Sequence, residues 1–113
     1  MIRAKFAENI AKDFDLAMQS QELFIMGLFS ALDIMLDKTM EEALNMVQVS
    51  KNVKEALLEE KGDFAKVLYF IKRYEDADWT EVSRLMVLDD LDMDHIYNSY
   101  LEALRWYRDL IPA

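Results

Sequence analysis

The scarcity of chain-breaking residues constrains the fold of this chain more than any other feature. Its 113 residues include only two glycines and one proline. Hairpins and many-stranded sheets draw on such residues for their turns, so their scarcity favours helices joined by short connections. Hydrophobic residues make up 53% and charged residues 31%, a balance typical of a globular protein rather than a disordered one. We therefore predict a single all-α domain over residues 1–113, a compact bundle of about seven helices.

Apolar spacing places the first two helices. The first helix is predicted because an apolar residue occurs at every fourth position, at Ile2, Phe6, Ile10 and Phe14. Ala7, Ala11 and Met18 fill the same apolar stripe. Residues 23–36 are apolar on every side, so the helix they predict should be central, with Ser20 as its cap. Gly27 and Ser30 should allow a neighbouring helix to approach this one closely.

Polar residues mark the predicted starts of the remaining helices. Their side-chain oxygens can accept hydrogen bonds from the free backbone N–H groups of a first helical turn. These are Thr39, in a capping box with Glu42, then Ser50, Asp63, Thr80, and either Asp92 or Asp94. Gly62 is expected in a left-handed conformation at a helix C-terminus. The positions predicted to be buried are Met40, Ala43, Leu44, Val47, Val53, Ala56, Leu57, Phe64, Val67, Leu68, Ile71, Tyr74, Val82, Leu85, Met86, Ile96, Tyr97, Tyr100, Leu104, Tyr107 and Ile111. Trp79 and Trp106 are expected to be structural anchors rather than ligand-stacking groups.

The charge of the chain is negative and concentrated in one place. Residues 75–94 contain eight acids and one base, Arg84, so this stretch carries −7 of the formal net charge of −9. Such a field repels a phosphate backbone, and we predict no nucleic-acid partner. The absence of cysteine excludes disulfides, zinc–thiolate sites and a thiol nucleophile. With no signal peptide and no apolar run long enough to cross a bilayer, the expected location is the cytoplasm, without membrane binding.

The acidic stretch invites a metal-site interpretation, which its spacing does not support. Asp90, Asp92 and Asp94 alternate as in a calcium loop, but the sixth and twelfth positions hold His95 and Leu101 where glycine and glutamate are needed. His95 is the only histidine, and a metal-dependent phosphohydrolase site needs several metal ligands. We interpret these acids as helix caps at joints between helices. We predict no catalytic, cofactor-binding or metal-binding residue, and no small-molecule ligand.

Four segments, taken in order, resemble the C-terminal half of HDOD domains, most closely those that follow an EAL domain in bacterial signalling proteins. They are "FIMGLFSALDIMLDKTMEEAL" (24–44), "VSKNVKEALLEEKGDF" (49–64), "YEDADW" (74–79) and "YLEALRWYRDL" (100–110). The resemblance extends to the opening "RAKFAENIAKDF" and so covers nearly the whole chain. It implies an all-helical relative of the HD phosphohydrolases that lacks their catalytic metal ligands. Such domains are non-catalytic regulatory or protein-interaction modules, and cyclic-di-GMP chemistry would belong to an EAL domain elsewhere.

The resemblance also leads to an expectation about assembly. A full HDOD domain carries further N-terminal helices, which would cover part of the apolar helix at 23–36. Without them we expect a homodimer whose interface includes residues 2–18 or the 23–36 helix. The alternative is a compact monomer whose first helix covers the central one. Two other functions stay open: a degenerate metal-dependent phosphohydrolase, and a stand-alone structural or assembly bundle.

Overall fold

The computed structural model describes residues 1–36, Glu42, Leu44 and 49–111, and all of its elements within these ranges are helical, which confirms the all-α prediction. In chain order they are α1 (Ile2–Asn9), two 3₁₀ turns (Ala11–Phe14 and Ala17–Gln19), α2 (Ser20–Leu36), α3 (Lys51–Lys54) with a π-helical extension (Glu55–Glu59), α4 (Gly62–Glu75), α5 (Trp79–Leu88) and α6 (Met93–Leu110). Leu44 is buried as predicted. The predicted cap at Thr39 and the burial of Met40, Ala43 and Val47 lie outside the described residues.

Helices α1 and α2 make their closest approach at Gly27. A Cβ atom added to Gly27 would lie only 2.7 Å from the Cα of Ala4 and 3.1 Å from the carbonyl oxygen of Arg3. Ser30 is buried one turn later, where its hydroxyl donates to the Gly27 carbonyl at 2.7 Å and accepts from Arg3 Nη1 at 3.2 Å. The small residues therefore allow the close helix contact that their spacing predicted.

The first helix ends earlier than its apolar spacing predicted. After Asn9 the chain tightens into the first 3₁₀ turn, and Asp15 takes a left-handed conformation with φ of 60°. The N–H of Leu16 then donates to the Ala11 carbonyl at 2.8 Å, which turns Leu16 into the core. Met18 is fully exposed as a result, so its predicted place in the apolar stripe is wrong.

Helix α2 is covered mainly on one side and is not central in the way its composition predicted. Leu23, Met26 and Ser30 are buried on the face toward α1, whereas Ile25 is 39% exposed on another face. Ser20 is the first residue of α2, with helical φ and ψ of −58° and −37°, and not its cap. The expectation of cover on every side is therefore wrong for the described residues of this helix.

The core is built around α1, which packs most extensively on α2 and then on α6 and α4, while α3 and α5 pack against α4. Predicted burial is confirmed for Val53, Ala56, Phe64, Val67, Leu68, Ile71, Val82, Met86 and Ile96, while Leu57, Tyr74, Leu85, Tyr100 and Tyr107 are partly buried. In α6 the buried face is Ile96, Ser99 and Ala103. Small residues lie against α1 there, and Asn9 Nδ2 donates to the Ser99 carbonyl at 3.1 Å. The predicted burial of Tyr97, Leu104 and Ile111 is wrong, since these side chains are 55%, 39% and 49% exposed.

The helix starts match the predicted caps in part. The hydroxyl of Ser50 accepts from the Val53 N–H at 3.3 Å, so this cap is confirmed. Asp63 lies in the first turn of α4, whose cap position is Lys61, so this predicted cap is wrong. Thr80, predicted to start α5, is its second residue, one position after the observed start at Trp79. Gly62 has a φ of +86° as expected, although it begins α4.

Left-handed conformations also occur at four joints without glycine. They are held by Asp15, Glu60, Ala77 and Asp90. Glu60 ends the π-helical extension of α3. Ala77 lies between α4 and α5, and Asp90 between α5 and α6, so a non-glycine residue in the left-handed conformation forms part of the turn at each of these joints.

Candidate functional site

The acidic stretch forms α5 together with the joints on either side of it. The carboxylate of Asp78 accepts from the Glu81 N–H at 3.3 Å and caps α5. Asp92 Oδ1 accepts from the N–H groups of Asp94 and His95 at 2.9 and 3.2 Å, so Asp92, and not Asp94, caps α6. The interpretation of these acids as caps at helix joints is confirmed for Asp78 and Asp92.

Arginine side chains neutralise only part of this acidic stretch. Arg3 binds Glu75 with two nitrogens, at 2.7 Å from Nη2 to Oε1 and 3.0 Å from Nε to Oε2. Arg73 pairs with Asp76 at 3.2 Å, and Arg84 pairs with Glu81. The other five acids form no ion pair with any residue that the structure describes: Asp78, Asp89, Asp90, Asp92 and Asp94. The surface around the two joints is therefore negatively charged without an internal counter-charge.

An aromatic cluster lies beside these acids, with Tyr74 at its centre. The Tyr74 ring lies 5.3 Å from Phe6, 5.3 Å from Trp79 and 5.4 Å from Tyr100, measured between ring centroids. Burial raises the pKa of the Tyr74 phenol above its ordinary 10.0, and the nearby Tyr100 and Tyr97 add to this rise. Tyr97 precedes Tyr100 by three residues on α6, so these two side chains are neighbours on the surface of that helix. The cluster thus joins α1, α4, α5 and α6 in one continuous set of rings.

The outer edge of this cluster is open to solvent. Trp79 and Tyr97 are each 55% exposed, so one side of the Trp79 ring packs on Tyr74 while the rest is open to solvent, and its anchoring role stays a prediction. Met93 and Leu104 lie four residues before and seven after Tyr97 on α6, which places all three on one face, and they are 65% and 39% exposed. We name the surface formed by Tyr74, Trp79, Tyr97 and Tyr100, with Asp78 and Asp94, the acidic aromatic face.

Trp106 fits its predicted anchoring role better than Trp79 does. It is partly buried and meets Phe24 of α2 edge to face, with 6.0 Å between ring centroids. The ammonium of Lys5 lies 5.5 Å from the centroid of the indole. Trp106 therefore connects α6 to both α1 and α2.

The single histidine makes a contact that joins two parts of the chain. His95 Nδ1 lies 2.7 Å from Asp13 Oδ1, which ties the first turn of α6 to the 3₁₀ turn after α1. The Asp13 side chain is 9% exposed, and its Oδ2 atom is buried with no hydrogen-bond partner among the described residues. His95 itself is half exposed. Within the described ranges, no three His, Asp or Glu side chains are grouped to hold a metal ion.

A cleft between α4 and α5 was not foreseen from the sequence. It has a volume of about 830 Å³ and is open to solvent, with an apolar floor of Leu68, Phe70 and Leu85. The charged residues that line it are three bases, Lys66, Lys72 and Arg73, and two acids, Glu60 and Asp89. No short motif marks such a cleft, because its walls come from two helices and its floor includes predicted core positions.

Two longer bacterial proteins are similar to this chain. The chain is 32% identical over all of its 113 residues to the uncharacterized protein YuxH of Bacillus subtilis, of which the match covers 27%. It is 29% identical over 108 residues, 96% of its length, to the cyclic di-GMP phosphodiesterase CdgJ of Vibrio cholerae, of which the match covers 25%. The chain thus spans about a quarter of the length of the curated relatives it matches. No family model matches it, and no solved structure does. No helix in the described part of the chain combines the length and the apolar character needed to cross a membrane.

Proposed function

We propose that this chain is a non-catalytic regulatory module of the HDOD type, acting through protein contacts in bacterial cyclic-di-GMP signalling. The observation that carries the proposal is the similarity of nearly the whole chain to one quarter of a cyclic di-GMP phosphodiesterase. The all-α fold and the resemblance of its four segments to HDOD domains support the same assignment.

Two acids of the acidic stretch and the single histidine, the residue types that catalytic and metal sites use, make structural contacts here. Asp78 and Asp92 accept backbone N–H groups at helix starts, and His95 lies against Asp13. The exposed rings of Trp79 and Tyr97 instead have the composition of an interaction surface, because aromatic residues are enriched at protein interfaces. These contacts support a binding role over the alternative of a degenerate phosphohydrolase.

Self-association belongs to the same proposal. In the single chain α1 already covers the face of α2 that contains Gly27, the arrangement of the compact-monomer alternative. A homodimer would then use the outer surface of α1 or the exposed side of α2, where Ile25 lies. Light scattering tests this directly, since a mass near 13.3 kDa means a monomer and twice that value a dimer.

The catalytic question is tested on the isolated chain. We expect no hydrolysis of cyclic-di-GMP in the presence of magnesium or manganese, and no stoichiometric binding of the nucleotide or of either metal by calorimetry. The intact Vibrio cholerae phosphodiesterase is the positive control. Turnover by the isolated chain would overturn the proposal.

The regulatory question is tested by a graft. The matching segment of the Vibrio cholerae phosphodiesterase is deleted in one variant and replaced by this chain in another. We expect the deletion to change kcat or KM and the graft to restore them in part, because the module acts on a catalytic region outside itself. Identical kinetics in the intact, deleted and grafted enzymes would show that the module has no regulatory effect.

A further inference from the structure

We propose that the acidic aromatic face is the docking site for a basic, arginine-bearing segment of a partner protein. This inference rests on the proposed function as an interaction module and adds the chemistry of its partner. It draws on three separate observations: the uncompensated charge, the open aromatic rings, and the rigid support behind them.

The charge of the face selects a cationic partner. Residues 75–94 carry −7 and the rest of the chain only −2, so the negative charge is concentrated in the stretch that contains Asp78, Trp79 and Asp94 of the face. Five aspartates of this stretch have no ion pair within the described residues, including Asp78 and Asp94 of the face itself. A basic segment is drawn toward such a field and gains by pairing with its carboxylates, while an acidic one is repelled.

The aromatic rings suit arginine in particular. A guanidinium within about 6 Å of a tryptophan or tyrosine ring is attracted to its face, and it can pair with a neighbouring carboxylate at the same time. The chain makes contacts of this type internally, since Arg73 lies 5.5 Å from the Tyr69 centroid and Lys5 lies 5.5 Å from the Trp106 centroid. Trp79 and Tyr97 have more than half of their surface open for a similar contact from outside.

The rings of the face are held in place before any partner arrives. Trp79 rests against Tyr74 at an interplanar angle of 88°, and Tyr74 packs in turn on Phe6, which is 1% exposed. Tyr100 stacks on Phe6 with 5.1 Å between centroids. Because these rings are already fixed, they lose little conformational freedom when a partner binds. Aromatic residues held in place in this way contribute much of the affinity at protein interfaces. Met93 and Leu104 supply an apolar border for the stem of a long side chain.

The α4–α5 cleft gives a built-in contrast. Its charged lining is mixed, with three bases (Lys66, Lys72 and Arg73) and two acids (Glu60 and Asp89), so it offers a basic segment no net negative charge, whereas the acidic aromatic face would attract such a segment. Two synthetic helical peptides therefore distinguish the surfaces. One carries arginine on its polar face and leucine on its apolar face, and the other has glutamate in place of each arginine.

The binding experiment uses tryptophan fluorescence and calorimetry on the full chain. In a Trp106→Phe background Trp79 is the only tryptophan, and we expect the arginine peptide to produce a saturable change in its emission. Calorimetry on the chain with both tryptophans gives the affinity independently of that background. We expect Trp79→Ala to weaken binding by about tenfold or more, as is usual for a central aromatic contact. Asp94→Asn should weaken it less, and added salt should weaken it in every variant.

Two exposed residues outside the face provide matched controls. Val87 is 82% exposed near the opposite end of α5, and Tyr69 is a 45% exposed ring beside the α4–α5 cleft. Val87→Ala and Tyr69→Ala should leave the affinity for the arginine peptide unchanged, and circular dichroism establishes that each variant is folded.

Several results would overturn the inference. The arginine peptide could fail to bind, or the glutamate peptide could bind equally well or more tightly. Val87→Ala and Trp79→Ala could lose the same amount of affinity for the arginine peptide. Finally, the chain could self-associate in a way that depends on Trp79. The last would make a second copy of the chain the occupant. These outcomes are independent of the nucleotide assays. Turnover of cyclic-di-GMP would contradict the proposed function, whereas a lack of binding by the arginine peptide would contradict only the proposed chemistry of the partner.

Discussion

Replacing Gly27 by alanine tests the close contact between α1 and α2. A Cβ atom there would lie 2.7 Å from the Cα and 3.0 Å from the backbone nitrogen of Ala4. These are backbone atoms, so no side chain can rotate away. Helix α1 would have to move by about 0.7 Å to bring the shorter distance to the 3.4 Å of ordinary contact.

The expected loss of stability is the balance of two opposing effects. Overpacking a well-packed core costs typically 1–3 kcal/mol, and contact with backbone places this site at about 3 kcal/mol. Alanine is favoured over glycine inside a helix by about 1 kcal/mol. The free energy of unfolding should therefore fall by about 2 kcal/mol, and Tm by about 8 °C for a domain of this size.

The assay is urea and thermal unfolding followed by circular dichroism, together with hydrogen exchange at the amides of α1. Gly62→Ala is the matched control, because its Cβ would meet nothing closer than Glu55 Oε2 at 3.9 Å, although its φ of +86° makes alanine unfavourable. Both variants should be destabilised, but only Gly27→Ala should speed exchange in α1. If Gly27→Ala were as stable as the parent or more stable, helix propensity would be the dominant effect and the close approach at Ala4 would be refuted.

Two further predictions concern a cap and a phenol. Asp92→Ala should lower the free energy of unfolding by about 1 kcal/mol, because Asp92 accepts two N–H groups at the start of α6; Asp94→Ala should cost less, and equal losses by urea unfolding would contradict the cap assignment. The raised pKa of Tyr74 means that the folded chain holds this proton more tightly than the unfolded chain. Its contribution to stability is thus complete below pH 10.0, the ordinary pKa, and is lost as pH rises through the folded value. Tyr74→Phe should show a smaller fall in unfolding free energy above pH 10.0, and a fall as steep as that of the parent would exclude Tyr74 as its source.

Sequence periodicity predicts the described helices best where large apolar residues mark one face. In α4, Phe64, Val67 and Ile71 are buried as their spacing requires. The same reasoning fails in α6, because Ser99 and Ala103 are small and a close approach to α1 buries them in place of Tyr97 and Leu104. Size and proximity, rather than hydrophobicity alone, decide which face of this helix turns inward.

The candidate site was less accessible to sequence reasoning than the fold. The caps at Asp78 and Asp92 follow local chemistry, and the interpretation of the acidic stretch as helix joints depends only on nearby residues. The exposure of Trp79 depends instead on the way α4, α5 and α6 meet around Tyr74. This packing brings together rings that are far apart in the chain, and it covers some of them while leaving others open to solvent. An aromatic residue looks the same in the sequence whether it lies in a core or on a binding surface. Only the packing of the helices distinguishes these two locations.

The left-handed residues at the joints bear on how the chain folds. Asp15, Glu60, Ala77 and Asp90 each hold a conformation that costs an L-residue about 1 kcal/mol or more locally. Local hydrogen bonds compensate this cost at three of the joints, where the residue after the left-handed one donates its N–H to a carbonyl five residues earlier: Leu16 to Ala11 at 2.8 Å, Asp78 to Arg73 at 3.0 Å and Leu91 to Met86 at 2.8 Å. A short peptide containing α4, Ala77 and α5 therefore keeps a local preference for this turn. The direction of the chain at these joints is set by neighbouring residues before the helices pack on one another.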